Sequence, residues 1–271
     1  MYVFEKMDRR DCCLLINSCE KYFWILEPMI GLLRRYAPDL KWPVYLATEK
    51  YDDFQIQRIC KTYGVEILKL AEEDSDFLES RVAAVKMLPP EIQYVLPLQD
   101  DFLLERPGPN GSALKEALNI FDTDLNVMSM RLMPCPGSNG SKMYAGRWKQ
   151  LVGNDMLFSY QATLWRREVY ESYLRRIIQQ GHEQHPELKG RAWNQYCISA
   201  NPAETYLGQN LLMAMYPQGV HLCWAREGTF ANAVYLCPWP YRPTGVVQGK
   251  LQPWAEELIH REGFKTAPSM R

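Results

Sequence analysis

Apolar and polar positions change period repeatedly along the first hundred residues. Short runs of mostly apolar residues occupy 12–17, 44–47, 65–70 and 94–98. Between them lie longer segments, 24–36, 52–63 and 76–88, where apolar positions return every three or four residues. The first of these places Ile25, Met29, Leu32, Leu33 and Tyr36 on one stripe. Short runs of this kind are strands buried on both faces, and the longer periodic segments are helices. Gly64 ends the second helix, Ala37-Pro38-Asp39 the first, and Pro89-Pro90 the third. Pro28 is expected in the first turn of its helix, where its missing N–H costs nothing. Regular strand–helix alternation demands crossover connections. It predicts an α/β fold with a mostly parallel central sheet and helices on both faces.

Past Asp101 the pattern loosens. A turn is expected at 107–112, a short helix at 112–121 and a strand at 127–132. A Pro/Gly/Ser loop follows at 135–141, and the aromatic stretch 157–165 reads as a strand. Helices are expected at 168–179, 203–215 and 253–260, with a strand at 220–224 and a Pro/Gly/aromatic loop at 235–249. No internal repeat divides the chain. It reads as one domain over 1–271, with a first half at about 10–106 and a second half at about 107–271.

Composition narrows the function. Of 271 residues, 47% are hydrophobic and 23% charged, which is ordinary for a globular chain. A net charge of −1 without a basic stripe argues against nucleic acid as partner. No run approaches a membrane span and no secretory leader is visible, so a cytoplasmic location is expected. The eight cysteines include no CxxC pair, and Cys12-Cys13 sit inside an apolar run as small hydrophobes. Asn110-Gly-Ser112 and Asn139-Gly-Ser141 read as turns.

The candidate chemistry starts at Tyr94-Val95-Leu96-Pro97-Leu98-Gln99-Asp100-Asp101-Phe102. Two carboxylates cannot stay inside a doubly buried strand layer. They are expected at the strand's carboxyl end, the edge where open α/β sheets bind ligands. Paired carboxylates there suit Mg²⁺ or Mn²⁺ carrying substrate phosphates. The first strand is followed by no GxGxxG, and no GxxxxGK[ST] occurs, so neither a dinucleotide fold nor a P-loop is indicated.

Three strand–helix units leading to a fourth strand that ends in Gln99-Asp100-Asp101 resemble a GT-A-type glycosyltransferase, over roughly 12–224. In that superfamily a DxD motif or a variant holds Mn²⁺ or Mg²⁺ on the diphosphate of a nucleotide-sugar. The resemblance implies Asp101, with Asp100, as metal ligands. Gln99 stands where the first Asp of the motif is usual. It implies a donor site including Asn17, Ser18 and Glu49 at strand ends, Arg81 toward phosphate, and Arg242 and Lys250 in a C-terminal lid. A base for an inverting reaction is expected from Asp155 or Glu204. Trp148 and Trp193 are the aromatic candidates for holding an acceptor sugar. Ordinary capping and packing are competing explanations for each of these residues.

The implied reaction moves a UDP- or GDP-linked sugar to a hydroxyl of a glycan or glycoprotein. Two alternatives stay open. A nucleotidyltransferase that forms nucleotide-sugars needs a Gly-rich basic loop after the first strand, and Asn17-Ser18-Cys19-Glu20-Lys21 is a poor one. A non-catalytic glycan-binding or scaffold protein is the other. His221 is expected as a hydrogen-bonded core residue, and His182-Glu183-Gln184-His185 as a solvated loop.

Overall fold

Nine strands form one sheet in the order β3-β2-β1-β4-β8-β5-β9-β7-β6. In this computed structural model the described residues are 9–72, 76–108, 111–140, 142–152, 155–225 and 235–265. The first four strands are β1 (Cys12–Asn17), β2 (Val44–Thr48), β3 (Glu66–Lys69) and β4 (Tyr94–Leu98), all parallel. The others are β5 (Val127–Arg131), β6 (Met143–Ala145), β7 (Trp148–Gln150), β8 (Thr163–Arg166) and β9 (Val220–Trp224). Among the described strands of this sheet, only β7 and β8 run against the rest. The expected α/β class with a mostly parallel sheet is therefore what the chain adopts.

Both faces of the sheet are covered. Cys12, Leu14 and Ile16 of β1 enter one core with side chains of α1 (Phe23–Tyr36), α2 (Phe54–Tyr63) and α4 (Gly111–Thr123). The helix Pro253–Arg261, α8 here, joins that layer. Cys13 and Leu15 enter the opposite core with α3 (Glu79–Met87), α5 (Arg167–Gln184), α6 (Arg191–Ala200) and α7 (Tyr206–Met215). The period of two along a strand requires this division, and it explains why β1 is apolar at successive positions.

Local chemistry sets the ends. The Asp53 carboxylate accepts from Gln55 N–H (2.8 Å) and Ile56 N–H (3.1 Å), so α2 starts at Phe54. Gly64, at φ 62°, closes it in the left-handed conformation. Pro28 lies inside α1, not in its first turn as expected. A buried proline costs a helix about 3 kcal/mol. Burial of Phe23, Ile25, Leu26, Met29, Ile30, Leu32 and Leu33 offsets that loss.

Two expectations of the second half are corrected, and one helix is added to them. Of the stretch 157–165, only the end is a strand, β8. The backbone before it is held by side chains: Phe158 N–H donates to Gln209 Oε1 (2.7 Å) and Tyr160 N–H to Glu204 Oε1 (2.8 Å). The segment 182–185 is no loop, because α5 continues through Gln184 and His182 stacks on Trp193. Helix α6 was not anticipated. Its buried side chains are Trp193 and Cys197, one turn apart, too sparse a stripe to stand out. Asn110, Ser141, Gly153 and Asn154 lie outside the described residues.

Candidate functional site

Chain direction at the sheet's middle decides where a site forms. From β1 the connections step outward to β2 and β3, then return past β1 to β4. The carboxyl ends of β1 and β4 therefore carry loops that part in opposite directions. Such a switch point leaves a crevice, and ligands bind there in open α/β sheets. Here it is a cleft of about 270 Å³.

Asn17, Ser18 and Cys19 follow β1 into this cleft, Glu49 follows β2, and Gln99, Asp100 and Asp101 follow β4. Arg81 enters from α3. The structure thus brings together Asn17, Ser18, Glu49, Arg81, Gln99, Asp100 and Asp101 from the sequence-derived set. Ser18 Oγ donates to Asp100 Oδ2 at 2.9 Å, tying the β1 loop to the β4 loop. Asn17 Nδ2 donates to the Ser80 carbonyl at 3.1 Å and anchors that loop on α3.

The electrostatics of the acidic pair are unusual. Burial, with the neighbouring Asp101 charge, pushes Asp100 up to about 7. Burial also holds Asp101 above the ordinary carboxylate range, against hydrogen bonds from the backbone of Val246 and Gly245. Among the described residues neither carboxylate has a Lys, Arg or His within ion-pair distance. Arg81, 9% exposed, is the cation whose field reaches Asp100. Its guanidinium donates to the Phe77 carbonyl (2.6 Å) and lies over the rings of Phe77 (3.9 Å) and Tyr160 (5.1 Å). Among the described residues, one cleft therefore holds two carboxylates short of positive charge, Asp101 buried and Asp100 half-buried, and a buried guanidinium with no carboxylate paired to it.

That donor set fits a hard divalent cation that brings its own oxygen ligands. Among the described residues there is no cluster of three or more His, Cys, Asp or Glu able to enclose a metal. Two carboxylates plus substrate phosphates are the usual company of Mg²⁺.

The remaining candidates lie elsewhere. Asp155, 4% exposed, accepts from Ser138 Oγ (3.1 Å), Asn139 N–H (2.8 Å) and Val152 N–H (2.9 Å). It ties the loop at 138–139 to the one at 152–155 and does not line the cleft. Glu204 lies in a 3₁₀ turn before α7, not in that helix's first turn, and is bound to Tyr160 N–H and the Asn201 side chain. Neither carboxylate is placed as the base expected of it. Trp148 and Trp193 are core residues, 0% and 2% exposed, and not acceptor platforms. Trp148 packs edge-on against Trp224, and Trp193 Nε1 donates to Glu79 Oε1 (2.6 Å). Arg242 pairs with Glu105 at 2.8 Å and covers the Trp254 ring, while Lys250 sits in a small hairpin; neither lines the cleft. His221 is buried with Nδ1 2.8 Å from Ser129 Oγ, as expected of a core residue.

Sequence reasoning missed several lining residues. Tyr22 comes from the 3₁₀ turn after β1, Phe77 and Ser80 from the start of α3, and Asn194 and Ile198 from α6. Asn194 and Ile198 are spaced i, i+4, so one helix face supplies both. Recognising α6 would have found them.

No protein-family model matches the chain, and no curated protein sequence matches it. Among solved structures it is similar to the galactosyltransferase LgtC with donor and acceptor sugar analogs, at 12% identity over 94% of this chain and 97% of that one (TM-score 0.46). It is similar to mouse xyloside xylosyltransferase 1, at 12% identity over 79% and 84% (TM-score 0.41). A third is 4-diphosphocytidyl-2C-methyl-D-erythritol synthase from Anaerococcus prevotii, at 11% identity over 72% and 86% (TM-score 0.40). Identities this low carry no residue roles from those proteins to this one. No helix among the described residues is long and apolar enough to cross a membrane.

Proposed function

We propose that the chain is a nucleotide-sugar-dependent glycosyltransferase, moving a UDP- or GDP-linked sugar to a hydroxyl of a glycan or glycoprotein. One observation carries this reading: half-buried Asp100, with buried Asp101 and Arg81, shares a single cleft at the switch point between β1 and β4. The arrangement is complementary to a diphosphate accompanied by a divalent cation.

In this reading Asp101 and Asp100 hold Mn²⁺ or Mg²⁺, and Arg81 faces the phosphate oxygens. When bound, the cation supplies positive charge to the departing diphosphate. Asn17, Ser18, Glu49 and Gln99 present amide, hydroxyl and carboxylate groups suited to ribose and base. The buried guanidinium, fixed by Phe77 and Tyr160, meets phosphate without reorganising, which is the condition for effective charge stabilisation.

Thermal unfolding against UDP, GDP and their sugar conjugates, with and without Mn²⁺, tests the proposal. A ligand at 100 times its dissociation constant adds about 2.7 kcal/mol to stability. Metal-dependent stabilisation by one of these, lost in Asp101→Ala, is the expected result. Stabilisation by glycans alone, with no response to any nucleotide, would move the protein to the non-catalytic glycan-binding class. A response to nucleoside triphosphates with a sugar phosphate, and not to nucleotide-sugar with acceptor, would indicate a nucleotidyltransferase.

A further inference from the structure

The C-terminal strap reaches the acidic pair through its backbone, not through its cations. Residues 102–105, which follow the pair, run alongside 239–241. Glu105 N–H donates to the Pro240 carbonyl (3.2 Å), Leu104 bridges Tyr241, and Phe102 stacks on Tyr241 at 4.3 Å. Tyr241 is itself fixed, its hydroxyl accepting from Ala162 N–H at 3.0 Å. Further on, Val246 N–H donates to Asp101 Oδ2 at 3.1 Å.

The fit is close. A Cβ built on Gly245 would stand 2.8 Å from the Asp101 carbonyl oxygen and 3.4 Å from its Cβ. Any side chain at 245 therefore lifts the strap from the acidic pair. From the other side, Gly245 accepts from Gln252 N–H (2.9 Å), at the start of α8. Val246 pairs with Leu251 in the hairpin of 246–247 with 250–251. The strap segment is thus held between α8 and Asp101, and Val246 forms part of the cleft wall.

We propose that Gly245 and Val246 are a positioning element for Asp101: the close approach at Gly245 seats the Val246 amide, which sets the direction of the carboxylate, so that seating of the strap and capture of a cation–diphosphate are coupled. The second half of this statement rests on the transferase reading; the first does not.

Amide hydrogen exchange read at Val246, with Mn²⁺ plus UDP or GDP binding followed by calorimetry, tests both halves. Asp101→Ala is expected to speed exchange at Val246 by about tenfold or more, the loss of one charge-assisted hydrogen bond, while β4 amides keep their protection. Asp101→Asn, which keeps an acceptor oxygen, restores most of the protection but not the metal-dependent binding. Gly245→Ala is expected to speed Val246 exchange and to weaken Mn²⁺–diphosphate binding about tenfold with Asp101 intact. Val247→Ala, at an exposed neighbour, is expected to change neither. Unaltered Val246 exchange in Asp101→Ala would overturn the anchor. Wild-type affinity for Mn²⁺–diphosphate in Gly245→Ala would overturn the coupling. Failure of the wild-type protein to bind either diphosphate would remove the transferase reading, and with it the coupling, while the exchange measurement still decides the anchor.

Discussion

In the first half of the sheet, β1 and β4 lie side by side with their loops parting, and Asp100 and Asp101 end up facing a cleft that leaves them short of positive charge. In the second half, Asp155 and Glu204 lie away from that cleft, Asp155 bound by Ser138, Asn139 and Val152 and Glu204 by Tyr160 and Asn201. The residue types are the same and so is the sequence context, an acid beside a turn. What differs is whether the carboxylate is turned onto neighbouring loops or lines the cleft. A carboxylate with two or three hydrogen bonds that tie loops together is a structural clasp, whereas one in a cleft without a paired countercharge is primed for a ligand. The histidines and tryptophans of the second half follow the same rule: His221, Trp148 and Trp193 each have packing or hydrogen-bond partners in the core.

The comparison breaks first at Trp193. As a core residue bound to Glu79, its change to Ala is expected to cost about 3–5 kcal/mol. Chemical denaturation measures this, and a near-neutral result would return Trp193 to the ligand. Next, Asp101→Ala is expected to weaken metal-dependent nucleotide binding by roughly a hundredfold or more, with calorimetry as the readout. Asp155→Ala is the counterpart in the other half. It leaves three donors without their acceptor and is expected to destabilise by about 2–3 kcal/mol, with turnover per folded molecule unchanged. Loss of turnover at full stability would show that the two halves share the chemistry after all.

The finest test is pH. Asp100 is raised to about 7 in the folded chain, so between its unfolded value near 3.8 and pH 7 the folded state holds the extra proton. Its contribution therefore turns unfavourable as pH rises through that window. Burial lowers His221 to about 3, so below its ordinary value of 6.5 the unfolded state binds the proton first. Its neutral form supports the fold above pH 6.5 and loses that support as pH falls. Unfolding free energies from urea titrations of Asp100→Asn should exceed wild type by about 1–3 kcal/mol at pH 8 and converge with it near pH 4. His221→Gln should narrow the acid-side loss. Parallel curves for wild type and both variants would refute the assignment.

Legibility followed burial. β1, β2 and β4 could be placed because strands buried on both faces leave unbroken apolar runs, and two acids at the end of such a run cannot remain inside it. Helix α6 was obscure because its buried residues are Trp193 and Cys197 alone, and with it went Asn194 and Ile198 of the cleft wall. The stretch 157–162 failed as a strand because Gln209 and Glu204, more than forty residues later, take its backbone donors. Arg242 was assigned to the cleft for its charge, but Glu105 lies nearer.

By itself, then, the sequence determined the strand–helix alternation, the parallel core and the edge at which Gln99, Asp100 and Asp101 emerge. These depend on local period and on the cost of burying charge, both of which act within a few residues. Only the tertiary structure decided which acids line the cleft, that Arg81 joins them, and that a backbone amide from position 246 reaches Asp101. Those outcomes depend on pairings across up to 145 positions of chain, and a hydrogen bond leaves no periodic trace in the sequence of either partner.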